Sequence, residues 1–341
     1  MEKPDKNSRN QREFKYEPKP KFEERMKLLI EDYDKFIEAN KKPSANSIRC
    51  NTLKIKPEEL VSKLKAKAWK IEQPYKDYPE IMIINQWLNP GELGKSIEHL
   101  LGYYYVQEIS SMLPILALDP KPGELLLDLC AAPGSKTTQA AAKMENKGTI
   151  IANDKDIGRI SILASNLERC GVSNMLVTRH DAVQLCLRLQ NLGMKFDKIL
   201  LDVPCSGEGN IRSNPKTLLM WNENMIKKLS RLQKKIISTA IPLLKPDGEL
   251  VYSTCTHAPE EDEENVNFLV EKFNMQVEKI NLPVKCRQGI SEWQGNKFSE
   301  QVKNCCRVYP QDNDTEGFFL AKLRLQKSKI SDSAQKSGGD F

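Results

Sequence analysis

Two thiols and a carboxylate stand where apolar runs give way to loops. Cys205 follows the run KILLD in DVPCSGEG, and Cys255 follows GELVYST in the same manner. Asp202 closes the first run three residues before its cysteine. A thiolate can add to an electron-poor ring carbon, a second thiol can manage a proton, and a carboxylate can steady the ring under attack. Methylation of a pyrimidine at carbon 5 is one of the few reactions that needs all three. Carbon 5 of cytosine is too weak a nucleophile to take a methyl group until sulfur adds at carbon 6 and makes it enamine-like. Afterwards a base must remove the carbon 5 proton so that the thiol can leave.

A methyl donor needs its own site, and LLLDLCAAPGSKT, residues 125–137, supplies a strand, a loop of small residues and a helix start. Ala131, Ala132 and Gly134 let backbone approach a ligand closely, and the helix amino terminus favours a carboxylate. GSKT looks like the tail of a phosphate-binding P-loop, but its lysine does not directly follow the glycine and no glycine opens the loop. Asp154 ends the next strand about twenty residues on, where an acid commonly holds ribose hydroxyls. Asp181 follows the third strand, placed to meet an adenine edge. Each acid alone fits a helix cap; in register with the loop and Asp202 they suit a nucleoside-bearing cofactor. Without a G-x-G-x-x-G loop a nicotinamide is disfavoured, and S-adenosylmethionine is the expected cofactor.

The elements that must position these residues alternate regularly after Tyr103. Short apolar runs at 124–129, 149–152, 175–178, 198–201 and 249–252 are separated by helical patterns at 135–144, 156–170, 181–192 and 222–244. Buried strands alternating with helices imply a mostly parallel sheet covered on both faces, with ligands beyond the carboxyl ends of the strands. CRVYP and GFFLAKLRL, with DNDTEG between them, read as a closing hairpin. Ahead of this lies a smaller unit: one amphipathic helix carrying Phe22, Met26, Leu29, Tyr33, Phe36 and Ile37, a strand at 47–53, a helix at 57–68 and a strand at 81–87. It ends near Asn89-Pro90. Residues 1–20 and the tail from Lys327 are poor in aliphatics and read as disordered.

Composition narrows the class. A chain of 341 residues can bury a substantial core, and a net charge of +6 permits a nucleic-acid partner without proving one. Nine cysteines without a C-x-x-C pair, beside three histidines, give a structural zinc site little support, so no metal is expected. The odd cysteine count reads as reduced intracellular thiols. No apolar stretch approaches the ~20 residues of a membrane helix, so the expectation is a soluble cytoplasmic protein.

The residues alone leave open which cysteine attacks. In DNA cytosine-5 methyltransferases the nucleophile follows a proline, as Cys205 does here, and their Glu-Asn-Val triplet occurs at 264–266. That triplet, however, lies beyond Cys255 in PEEDEENVNFLVEKF, where acids after Pro259 suit a helix amino terminus. Taken together, SIRCNTLK, LGYYYVQEISSMLPILALDPKPGE, DLCAAPGSKTTQ, DVPCSGEGNIRSNP, DGELVYSTCTHAPEEDEENV and RVYPQDNDTEGFF resemble the RNA (cytosine-5) methyltransferases of the Sun/Fmu type, the archaeal tRNA enzymes above all. The likeness runs from about Ser47 to Leu325.

That resemblance implies an α/β fold: a Rossmann-like class I methyltransferase domain over 96–326, with a mostly parallel seven-stranded sheet and a C-terminal antiparallel hairpin. A small N-terminal α+β, RNA-binding-like domain would occupy 21–95, with tails at 1–20 and 327–341. Cys255 would be the nucleophile and Cys205 would assist product release. Asp202 would contact N3 of the base, with Lys136 also near it. Cys130, Ala131, Ala132, Pro133, Gly134, Ser135 and Lys136 would line the methionine end of S-adenosylmethionine, near Asp202. Asp154 would hold the ribose, Arg159 would support the cofactor and Asp181 would meet the adenine. Arg212 and Pro215 resemble a loop beside the active site. Ser135, Val203 and Gln311 depart from the usual glycine, alanine and histidine, and none of these changes removes a reacting group. The expected partner is RNA, tRNA first and ribosomal RNA as the alternative, bound by a monomer. A catalytically silent RNA-binding assembly factor is the reading from another class.

The other chemistry-bearing residues have plainer readings. Cys50, Cys170 and Cys186 read as core fillers, Cys305 and Cys306 open the last hairpin, and Cys286 falls in a stretch without a pattern. His180 and His257 flank the proposed loops and read as structural or solvated. Tyr103–Tyr105 could stack on bases, but before an apolar segment they read as packing.

Overall fold

The computed structural model describes residues 16–326, so most of the first expected tail and the whole of the second lie outside the described residues. Residues 16–20 do not fit a free tail. Tyr16 packs against a core cluster, and Lys19 Nζ donates to the Leu219 and Trp221 carbonyls at 2.7 and 2.8 Å. The expected first helix is two: Pro20–Leu29 and Tyr33–Lys41, separated where Ile30 turns extended. The break re-aims the chain so that Phe22, Met26 and Ile30 from one helix and Tyr33 and Phe36 from the next all enter one apolar cluster. A straight helix at 100° per residue would carry some of them away from it.

The small sheet has the order β2-β3-β1-β4, from β1 (Asn46–Cys50), β2 (Ile71–Glu72), β3 (Ile81–Ile84) and β4 (Tyr104–Val106), all antiparallel. Its fourth strand comes from beyond residue 95, where the sequence reading ended the first unit. The helix Pro57–Ala66 covers this sheet with Leu60 and Leu64. Tyr104 and Tyr105 are buried, so their part is packing.

The large sheet is built on β5 (Leu125–Asp128), β6 (Thr149–Asp154), β7 (Met175–Arg179), β8 (Phe196–Asp202) and β9 (Leu244–Thr254), in parallel with the order β7-β6-β5-β8-β9. Antiparallel strands extend it past β9: β15 (Phe318–Leu325), then β14 (Cys306–Val308) and β11 (Arg287–Gln288), with β10 (Met275–Glu278) also on β15. The total is nine strands, two more than expected, because the irregular stretch after residue 274 supplies β10 and β11. A separate hairpin pairs β12 (Glu292–Trp293) with β13 (Asn296–Lys297). Successive side chains along the central strands feed opposite cores. Leu127, Ile199 and Leu250 face the helices Ala182–Asn191 and Glu223–Ala240, whereas Leu126, Leu200 and Val251 face Ile109–Leu118 and Ile157–Cys170.

One cysteine reading is overturned. Cys286 and Cys306 form a disulfide, with Cα atoms 5.0 Å apart, so not all the thiols are reduced. Pairing of β11 with β14 sets Gln288 opposite Cys306 and brings Cys286 beside it, a register that a separation of 20 residues gives no hint of. Cys50, Cys170 and Cys186 are buried in the cores, as read. No helix among the described residues is long and apolar enough to cross a membrane.

Candidate active site

Every strand of the parallel set ends at one rim of the sheet, and the side chains singled out above collect there. Asp128, Asp154 and Asp202 are the last residues of β5, β6 and β8, and Cys255 follows β9 directly. The register that aligns Asp202 with Ser253 across β8 and β9 also brings the two loops together. The Cys205 and Cys255 sulfurs lie 3.0 Å apart, and the Cys255 backbone N–H points at the Cys205 sulfur at 3.3 Å. The contact with Cys255, burial and the Glu261 carboxyl push the Cys205 thiol well above its usual range.

Glu261 holds the loop under Cys205. It accepts from the Ser206 backbone N–H at 3.1 Å and from the Gln233 amide at 2.8 Å. Its burial raises its own carboxyl to about 8. Glu208 does the same on the other side, accepting from the Trp221 indole at 2.6 Å, the Thr256 hydroxyl at 3.1 Å and the His257 N–H at 3.2 Å. Sequence reading took the acids after Pro259 for favourable charges at a helix amino terminus, and Glu263 and Glu264 do open the helix Glu263–Phe273; what it did not convey is that Glu261 and Glu263 are buried. Nothing local distinguishes a buried glutamate from an exposed one; the partners of these two carboxylates come from 27 or more residues away.

Asp202 and Lys136 meet in front of the thiols. Lys136 Nζ is 2.7 Å from Asp202 Oδ2 and 3.0 Å from the Ser111 hydroxyl, and it lies 5.6 Å from the centre of the Phe318 ring. The Ser253 hydroxyl donates to the other Asp202 oxygen at 2.9 Å. Lys136, Asp202 and Cys255 line a cleft of about 410 Å³ that is closed on its far side by Ser44–Ser47 and Val106 of the small sheet's unit. Cys205 reaches the cleft only through Cys255, whose sulfur it touches at 3.0 Å.

The small-residue loop bounds two further hollows. One of about 250 Å³ is lined by Asp128, Cys130, Ala131, Ala132, Pro133, Ser135, Lys136 and Asp202. It shares Ser111, Lys136 and Asp202 with the cleft. The other, narrow at about 60 Å³, is lined by Cys130, Asp154, Arg159, His180 and Asp181. Gly134 turns the loop into its helix at φ +102°, and a Cβ there would come within 2.9 Å of Leu163. Arg159 pairs with Asp154 at 3.2 Å and donates to the Ala132 carbonyl, tying the loop to β6. Asp181 caps the helix Ala182–Asn191 through Oδ1, at 3.1 Å from the Val183 N–H. Asp128 accepts from Thr137 at 2.7 Å, while its buried Oδ1 has no partner, and burial raises the carboxyl to about 7. An orphaned acid beside the loop, a buried acid at the end of β6 and a string of connected hollows fit the amino-acid and ribose ends of S-adenosylmethionine.

Two placements differ in kind from the rest. Arg212 points away from the thiols: it donates to the Lys42 and Pro43 carbonyls at 2.9 and 2.8 Å and pairs with Asp314. Arg49 of β1, unremarked in the sequence, is buried and crosses to the cofactor loop's helix. It donates to the Ser135 carbonyl at 2.7 Å, to Thr138 at 2.8 Å and to Gln107. His257 is buried between Tyr309, stacked at 4.8 Å, and Phe36; the His180 ring reaches Arg188 at 3.5 Å while its backbone bonds the Asn153 side chain.

Comparison with known proteins agrees with this geometry. Residues 115–324 match the family described as 16S rRNA methyltransferase RsmB/F, and residues 18–109 match the N-terminal domain of 16S rRNA methyltransferase RsmF. The chain is 44% identical over 312 residues to the tRNA (cytosine(49)-C(5))-methyltransferase of Pyrococcus abyssi, covering 90% of itself and 98% of that protein. It is 39% identical to ribosomal RNA small subunit methyltransferase F of Aliivibrio salmonicida, covering 90% of itself but only 63% of that protein. Among solved structures, a methyltransferase homologue from Pyrococcus horikoshii superposes with a TM-score of 0.79 at 34% identity, over 91% of this chain and 96% of that one. NSun6 from Pyrococcus horikoshii, solved with the S-adenosylmethionine analogue SFG, superposes with a TM-score of 0.77 at 28% identity, over 91% of this chain and 99% of that one. With paired thiols, acids at the ends of three parallel strands and the small-residue loop on one rim, the chain belongs to the RsmB/F (Sun/Fmu) family of S-adenosylmethionine-dependent RNA cytosine-5 methyltransferases.

Proposed function

We propose that the protein methylates carbon 5 of a cytosine in tRNA through a covalent bond between Cys255 and carbon 6 of the base. The observation that supports this most is the 3.0 Å approach of two thiols, one of which, Cys255, lines a cleft with room for a base together with the Lys136–Asp202 pair. Once the pair has released one proton to solvent, two sulfurs this close can share the other. When Cys205 keeps it, as its raised pKa favours, Cys255 is the sulfur left free to attack. Lys136, held by its pair with Asp202, can hydrogen-bond N3 as negative charge builds there, with Asp202 beside the same edge. Bound S-adenosylmethionine supplies the electrophilic methyl group. Once Cys255 is bonded to carbon 6 it no longer holds the Cys205 proton, so Cys205 can pass that proton to water and take the carbon 5 proton in its place; the sulfur–carbon 6 bond then breaks and Cys255 leaves as thiolate. Cys130–Lys136, Arg159, Asp154 and Asp181 hold the donor in this reading, with Asp202 between donor and base.

The expected test is a pair of variants with distinct outcomes. Cys255→Ala abolishes methyl transfer and forms no adduct, whereas Cys205→Ala accumulates a protein–RNA species that survives denaturing electrophoresis. If Cys255→Ala trapped RNA and Cys205→Ala did not, the roles would be exchanged.

tRNA is favoured because the chain is 44% identical to the Pyrococcus abyssi tRNA enzyme and 39% identical to the Aliivibrio salmonicida ribosomal RNA enzyme. Bisulfite mapping of tRNA and ribosomal RNA incubated with the protein decides between them. The expected signal is 5-methylcytosine in tRNA, read first at position 49, the position in that relative's name.

A further inference from the structure

Three carboxylates line the cleft in front of Cys255: Glu108, Asp202 and Glu316. Their oxygens are not equally committed. Asp202 uses one on Ser253 and the other on Lys136. Glu108 uses Oε2 to cap the helix Ile109–Leu118 through the Ser110 N–H, at 2.6 Å, and Oε1 to accept from the Glu316 N–H at 3.1 Å. Glu316 accepts from the Ser44 hydroxyl at 2.7 Å through Oε1, but its Oε2 is buried and accepts no bond of normal geometry. The neighbouring Ser213 hydroxyl donates to the Asn210 carbonyl at 3.3 Å and also comes near enough to Glu316 to favour its charged form, a loose contact that a ligand donor can replace. Glu316 is 4% exposed, and leaving a carboxylate oxygen unsatisfied at that depth is costly.

The fold aims this residue at the reacting centre. Phe319 pairs with Thr254 across β15 and β9, so the chain just before it runs alongside Cys255. Gly209 donates to the Cys255 carbonyl and accepts from the Gly317 N–H, each at 2.9 Å, and so ties the loop carrying Glu316 to the loop carrying the thiol. Cytosine presents two acceptors, O2 and N3, and one donor group, the 4-amino. Lys136 suits the acceptors; the amino group needs an acceptor, and Glu316 Oε2 is the uncommitted carboxylate oxygen in the cleft.

We propose that Glu316 selects cytosine by accepting a hydrogen bond from its 4-amino group, a specificity that rests on the cytosine-methylating reading above. A uracil would set its O4 acceptor against that oxygen, and a ring without the amino group would leave it unpaired. Both are penalised by the site rather than merely bound less well.

The test takes the full chain and the RNA in which its methylation has been mapped, made in two forms. The target nucleoside is cytidine in one and the 2-pyrimidinone ribonucleoside, which lacks the 4-amino group, in the other. Single-turnover methyl transfer is measured on both for the wild type, Glu316→Ala, Glu316→Gln and Ser44→Ala. Comparing the cytidine-to-pyrimidinone ratio between variant and wild type cancels the different intrinsic reactivity of the two rings. The ratio is expected to fall about tenfold in Glu316→Ala, in line with the loss of one hydrogen bond at a buried acceptor; because burial raises the Glu316 carboxyl to about 7, the assay is run above that pH, where the acceptor is ionised. Glu316→Gln, which keeps the shape and the bond to Ser44, lowers it by a smaller factor. Ser44→Ala, which removes only the tether, leaves it within about twofold. A ratio unchanged in both Glu316 variants, with cytidine still methylated, overturns this inference and leaves the reaction standing. Absence of 5-methylcytosine from tRNA and ribosomal RNA with the wild type overturns both.

Discussion

Lys136 is spent on three partners at once, and that makes its removal informative. Its ammonium bonds Asp202 and Ser111 and lies over the Phe318 ring, so Lys136→Met strands a partly buried carboxylate beside the thiols. Losing one member of such a pair costs about 2 kcal/mol or more, which would lower kcat/KM about 30-fold or more. Single-turnover kinetics checks this, and thermal melting should move little because Lys136 faces the cleft rather than a core. His257 gives the opposite kind of prediction, on stability. Burial in an apolar stack, with Arg307 beyond it, lowers its pKa from 6.5 to about 3. Between those values the unfolded chain binds a proton that the folded chain refuses, so stability falls as pH drops from 6.5 toward 3. The slope from this one group approaches about 1.4 kcal/mol per pH unit. His257→Leu should flatten denaturant midpoints plotted against pH across that window. Parallel curves for variant and wild type would show that the folded protein accepts the proton after all.

Between elements, close backbone approach decides what the loops tolerate. A Cβ on Gly317 would fall 2.3 Å from the His257 ring, and one on Gly209 would fall 2.1 Å from the Gly317 carbonyl. Gly317→Ala is therefore expected to cost about 3 kcal/mol or more and to displace the start of β15, with activity falling in parallel. Unchanged melting would show that the loop yields. Arg49 is the other such junction. Arg49→Met removes three donors from the Ser135 carbonyl, Thr138 and Gln107, and should weaken S-adenosylmethionine binding about tenfold, read by calorimetry. These two features also mark the limit of what residue order conveys. The parallel strands and their helices were legible to within a few residues, because apolar runs of about five residues and 3.6-residue patterns follow from backbone geometry. The rim containing Asp128, Asp154, Asp202 and Cys255 followed from the rule that ligands sit at carboxyl strand ends. Arg49 reads locally as one polar residue in a strand, and its partners lie 58 to 89 residues away. β10 and β11, at four and two residues, are too short to have a period, and the bond from Cys286 to Cys306 went unread with them.

On the scale of the whole molecule, the N-terminal helices belong energetically with the catalytic sheet. Phe22, Met26, Ile30 and Phe36 bury themselves against Ile211, Trp221, Ile226 and Tyr309, all from the catalytic part of the chain. Arg25 pairs with Glu260 and stacks on Trp293, and Asp32 takes two bonds from Arg287, at 3.0 and 2.8 Å. The Arg287 guanidinium holds the Asp32 carboxyl down at about 2, so this tie persists across the working pH range. Burying four large apolar side chains contributes on the order of 6–12 kcal/mol before the entropy of ordering them is subtracted, comparable with the net stability of a whole domain. Removal of residues 1–41 should therefore not release a sound catalytic unit. It should uncover Trp221 and the segment carrying Asn210 and Ser213, which line the cleft. The full chain is expected to unfold in one calorimetric transition, and the truncated chain to aggregate or melt at least 10 °C lower, roughly the shift that a loss of several kcal/mol produces in a chain of this size. Two separate transitions in the full chain, or a truncated chain that melts unchanged, would mean that these helices are an appendage and that the cleft wall stands without them.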